Sequence, residues 1–316
     1  MSVVPRVLVA HSDIPTPAID LLKQRFDVEV IDSKSADDVL KVVSEFDAVM
    51  GKIHIDAKFL DNAGNRLRVV STPSAGYDHM DVVEIKKRGI KVGNAPQVLS
   101  AAVAEIAVFL LLGAVRRAHE GRLLLDRGEV VKGFQFMLGH DLRNKTVGIV
   151  GFGSIGEAIA KRLVPFEVKK FLYCGHSKKK AGDQIGADFV SLDKLLQESD
   201  IVINCVPLNE ETENMFDDEV FKKMKSTAVF VNVGRGRTVD TDALVRALKN
   251  KTIYAAGLDV TEPEPLPVDH ELLKLENVVL LPHMGSQTIE TRTDMAIAAA
   301  ENIINALEGK PMRFEL

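Results

Sequence analysis

The stretch Lys145-Thr-Val-Gly-Ile-Val-Gly-Phe-Gly-Ser-Ile-Gly156 constrains this chain more than any other. An apolar run of strand length opens directly into Gly151-x-Gly153-x-x-Gly156, and residues 157–163 continue as a helix. Glycines in loops are common, so the hexapeptide alone would say little; the strand before it and the helix after it give it meaning. Gly151 permits a tight turn, Gly153 lets the backbone approach a pyrophosphate, and Gly156 lets helix and strand pack closely. The start of the helix, Ser154 and Ile155, then offers N–H groups and the positive end of its dipole to phosphate oxygens.

The rest of the chain repeats this alternation. Residues 6–10, 28–31, 48–50, 68–72 and 90–92 read as short strands, with helices over 17–24, 36–45, 57–62 and 81–88. Residues 100–127, rich in Ala, Leu and Val, are long enough for one helix, and the less regular 128–144 follows. A second series has strands over 146–150, 168–173, 188–190, 201–204, 228–232, 253–259 and 278–281. Its helices fall over 154–163, 192–198, 217–224 and 241–249, and a helical segment over 288–307 closes the series. Strand and helix alternating in this way argue for parallel βαβ units. A chain of 316 residues is long for one core, so two α/β lobes are expected.

Composition narrows the partners. With 46% hydrophobic and 27% charged residues the chain has the balance of an ordinary globular protein. A formal charge of −5 gives no reason to expect nucleic acid or an anionic membrane. No run approaches the ~18 uninterrupted apolar residues of a membrane span. Cys174 and Cys205 each sit in an apolar, strand-like run, which reads as two buried free thiols and a reducing compartment. Residues 1–13 carry no secretory or mitochondrial pattern, so the cytosol is the expected location. The eight histidines are scattered and no His-Glu-x-x-His occurs, so no metal is expected.

The strand after the glycine turn bears on which dinucleotide would bind. An acidic residue at its end, about 20 residues on, would bond the ribose 2′-OH of NAD. Here Tyr173 is followed by Cys174-Gly-His-Ser-Lys-Lys-Lys180, with no carboxylate. His176, Ser177 and Lys178 would instead welcome a 2′-phosphate, which favours NADP(H) and leaves NAD(H) possible.

Ligands of open parallel sheets bind beyond the carboxyl ends of the strands. Three such ends in the second lobe carry ionisable residues: Arg235 in Asn232-Val-Gly-Arg-Gly-Arg-Thr-Val-Asp240, Glu262 and Glu264 in Gly257-Leu-Asp-Val-Thr-Glu-Pro-Glu-Pro265, and His283 in Leu281-Pro-His-Met-Gly-Ser286. Hydride transfer to a keto carbon builds charge on the carbonyl oxygen and needs a proton donor near neutral pH, a task that suits histidine with its unperturbed pKa of about 6.5. A carboxylate on the other ring nitrogen fixes the tautomer, and a guanidinium can grip a substrate carboxylate through two parallel bonds. Singly, each residue has a bland alternative: a loop cation (Arg235 or Arg237), surface acids in a Pro-stiffened loop, or a helix cap.

Together, and in this order, these four segments resemble the signatures of D-2-hydroxyacid dehydrogenases across nearly the whole chain. Within that family the chain is most similar to glyoxylate/hydroxypyruvate reductases of the animal type, through Ile85-Lys-Lys-Arg-Gly-Ile90, Lys223-Met-Lys-Ser-Thr-Ala-Val-Phe230 and Pro265-Leu-Pro267. The resemblance implies two Rossmann-like parallel-sheet domains, flavodoxin-like and NAD(P)-binding, with the active site in the cleft between them. Residues 1–99 and 289–316 would form the substrate-binding domain and 100–288 the NAD(P)-binding domain. It implies reduction of glyoxylate or hydroxypyruvate, with Arg235 binding substrate and His283 as acid/base. Glu264, five residues after Asp259, is selected over Glu262 as the partner of His283. Ser74-Ala-Gly-Tyr-Asp-His79 resembles the loop whose amides, from Ala75 and Gly76, hold the substrate carboxylate, and Lys52 would add charge nearby. Val206, Pro207, Thr212, Val233, Gly234, Asp259 and Gly285 fall where relatives meet the cofactor. A homodimer is also implied.

One departure concerns the substrate. Animal relatives carry tryptophans in the irregular stretch, reaching toward the neighbouring subunit's pocket; this chain has no Trp and reads Val130-Val-Lys-Gly-Phe-Gln-Phe-Met137 there. Which keto acid is preferred is therefore open. Other readings are a phosphoglycerate or D-lactate type dehydrogenase, and a dinucleotide-sensing corepressor of the same fold.

Overall fold

The computed structural model describes residues 4–32, 36–129 and 133–316, so Val130, Val131 and Lys132 of the irregular stretch lie outside the described residues. The chain divides into two compact units, Met1–Leu99 with Ser286–Leu316, and Ser100–Gly285.

In the first unit the elements run β1 (Arg6–Val9), α1 (Thr16–Lys23), β2 (Asp27–Val30), α2 (Ala36–Leu40), β3 (Ala48–Met50), α3 (Ala57–Ala63), β4 (Val69–Ser71), α4 (Val82–Lys87) and β5 (Lys91–Gly93). The helix expected over 36–45 is shorter: α2 stops at Leu40 and a 3-10 turn, Val43–Glu45, follows. The five strands form one parallel sheet in the order β2-β1-β3-β4-β5. Alternation along β1 sends Val7 and Val9 to one face and Leu8 to the other, each into its own apolar cluster. Leu8 joins Val49, Val70, Phe59, Leu60 and Ile85, the last three from α3 and α4. On the Val7 face, Ala18, Ile19 and Leu22 of α1 meet Ala296, Ala299, Ala300 and Ile303 of the chain's last helix. That helix belongs to this unit although it follows all of the second in sequence. Central strands of such a sheet are buried on both faces and read as continuous apolar runs, as Ala48–Met50 does; Val69–Ser71 beside it is also buried throughout and ends on a polar residue.

The second unit opens with α5 (Ser100–Val115) and α6 (Ala118–Arg127). The single helix expected over 100–127 is thus two. Arg117 sits between them in the left-handed conformation, φ 55° and ψ 40°, with its guanidinium on Glu120 at 2.8 Å from Nε. The environment changes at the same point: α5 buries ten of its residues, whereas α6 buries none. Then come β6 (Thr146–Val150), α7 (Ser154–Leu163), β7 (Lys170–Cys174), α8 (Lys180–Gln184), β8 (Asp188–Phe189), α9 (Leu192–Glu198) and β9 (Ile201–Asn204). The unit continues with α10 (Asp218–Lys223), β10 (Val229–Asn232), α11 (Thr241–Lys249), β11 (Ala255–Leu258) and β12 (Val278–Leu280); α12 (Ile289–Leu307) returns to the first unit, capped by Thr288, whose side chain accepts from the Thr291 amide.

All seven strands are parallel, in the order β12-β11-β10-β9-β6-β7-β8. The chain enters mid-sheet at β6, runs outward to β8, and returns to the other side of β6 for β9. The carboxyl ends of β6 and β9 therefore diverge into loops that leave in opposite directions, which opens the crevice where such sheets bind ligands. Among the described residues no helix is long and apolar enough to cross a membrane.

Candidate active site

The turn after β6 has the geometry its glycines require. Gly151 has φ +88°, and a Cβ on it would stand 3.0 Å from the Cys205 carbonyl carbon and the Val206 nitrogen. A Cβ on Gly156 would stand 2.5 Å from the Gly151 carbonyl oxygen. Gly153 differs: a Cβ there would meet nothing within 4 Å, so its backbone faces open space. It precedes α7 without a side-chain cap, and the first helical bond runs from the Glu157 amide to its carbonyl at 2.9 Å. The amides of Ser154, Ile155 and Gly156 thus lie ahead of the helical ladder. Open space facing a row of such amides at the positive end of a helix dipole fits a pyrophosphate.

Val206 and Pro207 follow β9 and Val233 and Gly234 follow β10, and these two loops touch: a Cβ on Gly234 would stand 2.6 Å from the Val206 carbonyl oxygen. Thr212 shapes its segment from within, its hydroxyl donating to the Pro207 carbonyl at 2.6 Å and accepting from the Asn209 amide at 2.9 Å. Beyond β7, His176, Ser177 and Lys178 are exposed, and Lys178 pairs with Asp183 at 2.8 Å.

Arg235 rests on a buried polar knot that sequence reading missed. Asn204 and Asn232 close two neighbouring strands in register, and both are essentially fully buried. Asn204 Nδ2 donates to Asn232 Oδ1 at 3.1 Å and to Thr238 Oγ1 at 2.8 Å. Asn232 Nδ2 and Thr238 Oγ1 then both donate to the Arg235 carbonyl, at 3.0 and 2.6 Å. The same Asn232 Oδ1 accepts from the Gly234 amide at 3.1 Å, and Asn204 Oδ1 from that of Val206 at 3.2 Å. The available signal was a polar residue ending each of two otherwise apolar strands, Ile201-Val-Ile-Asn204 and Val229-Phe-Val-Asn232. Arg237, the other candidate cation, is half exposed and pairs with Glu213 at 2.5 Å.

Beyond β11 and β12 the structure brings Glu264 and His283 together: His283 Nδ1 lies 2.7 Å from Glu264 Oε1. A carboxylate only accepts, so Nδ1 is the donor and Nε2 is left for another partner. An apolar cavity of about 560 Å³ adjoins the pair, with Pro265, Leu266, Leu273, Leu280, Leu281 and Pro282 in its wall. Asp259, expected among the cofactor contacts, has its carboxylate on the amides of Met284 and Gly285, at 2.7 and 2.8 Å. Burial raises this carboxyl above its ordinary value, against the opposing pull of those two amides.

Ala75, Gly76 and Lys52 lie in the first unit, beyond the carboxyl ends of β4 and β3. The 74–76 loop is held by its carbonyls: Asn94 Nδ2 donates to the Ala75 oxygen and Ser74 Oγ to the Gly76 oxygen, both at 2.7 Å. Asn94 is itself fixed from α12, since Asn302 Nδ2 donates to its carbonyl at 3.0 Å. Lys52 is exposed, with its carbonyl 3.3 Å from His11 Nε2.

The fold agrees with what known proteins show. Residues 108–285 match the family described as D-isomer specific 2-hydroxyacid dehydrogenase, NAD binding domain. The chain belongs to the D-isomer-specific 2-hydroxyacid dehydrogenase family, whose cofactor is a nicotinamide dinucleotide. Among individual relatives, it is 46% identical over 265 residues to a glyoxylate reductase/hydroxypyruvate reductase of Homo sapiens, covering 83% of this chain and 81% of that one. It is 44% identical over 315 residues to a glyoxylate reductase of Thermofilum pendens, covering 97% and 92%. A solved NADPH-dependent glyoxylate/hydroxypyruvate reductase of Sinorhizobium meliloti, in complex with NADP and malonate, superposes with TM-score 0.87 at 33% identity, covering 99% of this chain and 97% of that one.

Proposed function

We propose that this chain reduces glyoxylate to glycolate and hydroxypyruvate to D-glycerate, with NADPH preferred over NADH. The observation that carries the reading is the 2.7 Å bond between His283 Nδ1 and Glu264 Oε1 at the ends of neighbouring strands. It leaves the histidine's other nitrogen for a second partner and supplies a carboxylate to balance the imidazolium.

When bound, the reduced dinucleotide supplies a hydride to the keto carbon. The chain's own residues do the rest. His283 Nε2 gives its proton to the carbonyl oxygen as charge builds there, and Glu264 holds the ring in the tautomer this requires. Arg235 grips the substrate carboxylate and polarises the carbonyl, its backbone held by Asn232 and Thr238. The amides of Ala75 and Gly76 also bind the substrate carboxylate, with Lys52 adding positive charge. Gly151, Gly153, Ser154, Ile155 and Gly156 hold the pyrophosphate; Val206, Pro207, Thr212, Val233, Gly234 and Gly285 line the rest of the dinucleotide. In this reading 100–288 is the dinucleotide domain, and 1–99 with 289–316 the substrate domain.

NADPH preference rests on His176, Ser177 and Lys178 standing where a carboxylate would select NAD. The Lys178–Asp183 pair is exposed on both sides and screened by solvent, so a 2′-phosphate can displace Asp183. Phe109 on α5, 55% exposed, and Phe134, 99% exposed, favour the homodimer that the family resemblance implies. Two free cysteines suit a reducing cytosol.

The test is oxidation of NADPH or NADH, followed at the reduced-nicotinamide band, with glyoxylate, hydroxypyruvate, pyruvate and 2-ketobutyrate in turn. NADPH with either of the first two should turn over fastest. Oxidation with no pair would end the enzyme reading, and faster turnover with NADH would end the cofactor preference. His283→Ala should abolish turnover while dinucleotide binding persists.

A further inference from the structure

The loop that carries His283 is held by one residue through three successive amides. β11 and β12 pair in register up to Leu258 and Leu280, and the ladder continues beyond them with the Leu281 amide on the Leu258 carbonyl at 2.9 Å. Next, the His283 amide donates to the Asp259 carbonyl at 2.8 Å. The ladder would end there, but the Asp259 side chain takes over: Met284 donates to Oδ1 at 2.7 Å and Gly285 to Oδ2 at 2.8 Å.

His283 needs such a grip. Its φ is +54°, in the left-handed region that only a few per cent of non-glycine residues adopt, and such a conformation persists where the surroundings over-determine it. Asp259 is 2% exposed, so both amides are captured in a dry place where their bonds are strong. The residue type matters as well. A carboxylate accepts at both oxygens, whereas an amide side chain would turn an N–H toward one of the two backbone N–H groups. The loop is also pressed onto this carboxylate, for a Cβ on Gly285 would stand 2.9 Å from Oδ2 and 3.2 Å from Val103 Cγ2.

We propose that Asp259 is a positioning residue for the reaction: its buried carboxylate locks 283–285 in the backbone form that turns the His283 imidazole onto Glu264. This rests on His283 being the acid/base, and it assigns Asp259 a task separate from contact with the dinucleotide.

The test is Asp259→Asn in the full-length protein, with three readouts. The first is the His283 Nδ1–H proton resonance, which a short bond to a carboxylate moves downfield. The second is kcat with glyoxylate at saturating NADPH, and the third is NADPH affinity by calorimetry. Loss of the downfield resonance, a fall in kcat of about tenfold or more, and a Kd within about threefold of the parent are expected. An unchanged resonance would overturn the proposal. So would a Kd weakened about tenfold with kcat retained, which makes Asp259 a dinucleotide contact. Gly285→Ala is the second variant, because it keeps the carboxylate and crowds it; it should lose the same resonance, and a parent-like spectrum and kcat would again refute the lock. Should His283→Ala keep its turnover, the acid/base reading fails, whereas the resonance still reports whether Asp259 orients the ring.

Discussion

Gly236 is the point at which the Arg235 loop meets the loop that leads to Glu264. A Cβ on it would fall 1.8 Å from the Thr261 carbonyl oxygen, 2.1 Å from that carbonyl's carbon and 2.8 Å from the Glu262 nitrogen. All three are backbone atoms, so no side chain can swing aside. In Gly236→Ala the two loops have to separate by about 1.2 Å, the difference between 1.8 Å and the 3.0 Å below which Cβ contacts essentially never occur. Neither loop can yield cheaply. On one side the Arg235 carbonyl is tied to Asn232 and Thr238, and on the other Asp259 is tied to Met284 and Gly285. Overpacking of this kind costs about 1–3 kcal/mol of stability. A displacement near 1 Å at catalytic groups costs about 10²-fold in rate. The expected result is therefore a folded protein whose urea midpoint is lowered and whose kcat/KM for glyoxylate falls by about two orders of magnitude. A kcat/KM within about twofold of the parent would refute the claim that these two loops must stay in register. A lowered midpoint with full activity would show that the strain relaxes away from the site.

Asn94→Leu removes the donor to the Ala75 carbonyl and leaves that oxygen unpaired, at a cost of about 1–3 kcal/mol if it stays dry. The KM for the keto acid should rise about tenfold with NADPH affinity unchanged, and an unmoved KM would remove the 74–76 loop from substrate binding. Burial pushes the Cys174 thiol up to about 11 from 9.0, which lowers its thiolate population about a hundredfold, so iodoacetamide should label it roughly that much more slowly in the native than in the denatured protein. Equal rates would mean that the strand end opens freely. Lys249 and then Lys274, each bonding Glu271, hold its carboxyl down to about 2 from 4.5. The folded value lies below the unfolded one, so this stabilisation is complete above 4.5 and is lost as pH falls toward 2. Glu271→Gln should flatten that part of the acid limb in urea midpoints taken down the pH scale; an unchanged limb would assign the loss to other acids.

What the sequence disclosed was set by local pattern. The glycine turn and its flanking strand and helix are a contiguous signal, and most strands stand within a residue or two of the apolar runs that announced them. The break between α5 and α6 carries no glycine or proline; it lies in the backbone of Arg117, which no periodicity reveals. The buried knot of Asn204, Asn232 and Thr238 joins residues up to 34 apart, and only the strand register makes them neighbours. Local chemistry did not separate Glu262 from Glu264, since both precede a proline; the geometry puts Glu264 on His283. For Lys178 the lysine run suggested an open cation site, and the pairing with Asp183 depends on the short helix α8 that this run itself begins.

The place of α12 has a consequence for how the molecule is made. Its Ala296, Ala299, Ala300 and Ile303 fill one face of the first sheet, beside Val7, Val9 and Ala48. A ribosome delivers β1 to β5 first, yet that face has only α1 over it, through Ala18, Ile19 and Leu22, until residues beyond 285 have left the exit tunnel. The unit formed by Ser100–Gly285 is contiguous and has all its strands earlier. Nascent chains of this protein should therefore fold from the middle outward, with the leading sheet held half-dressed and in need of shelter until the last helix arrives, the reverse of the N-terminal-first order usual for multidomain chains.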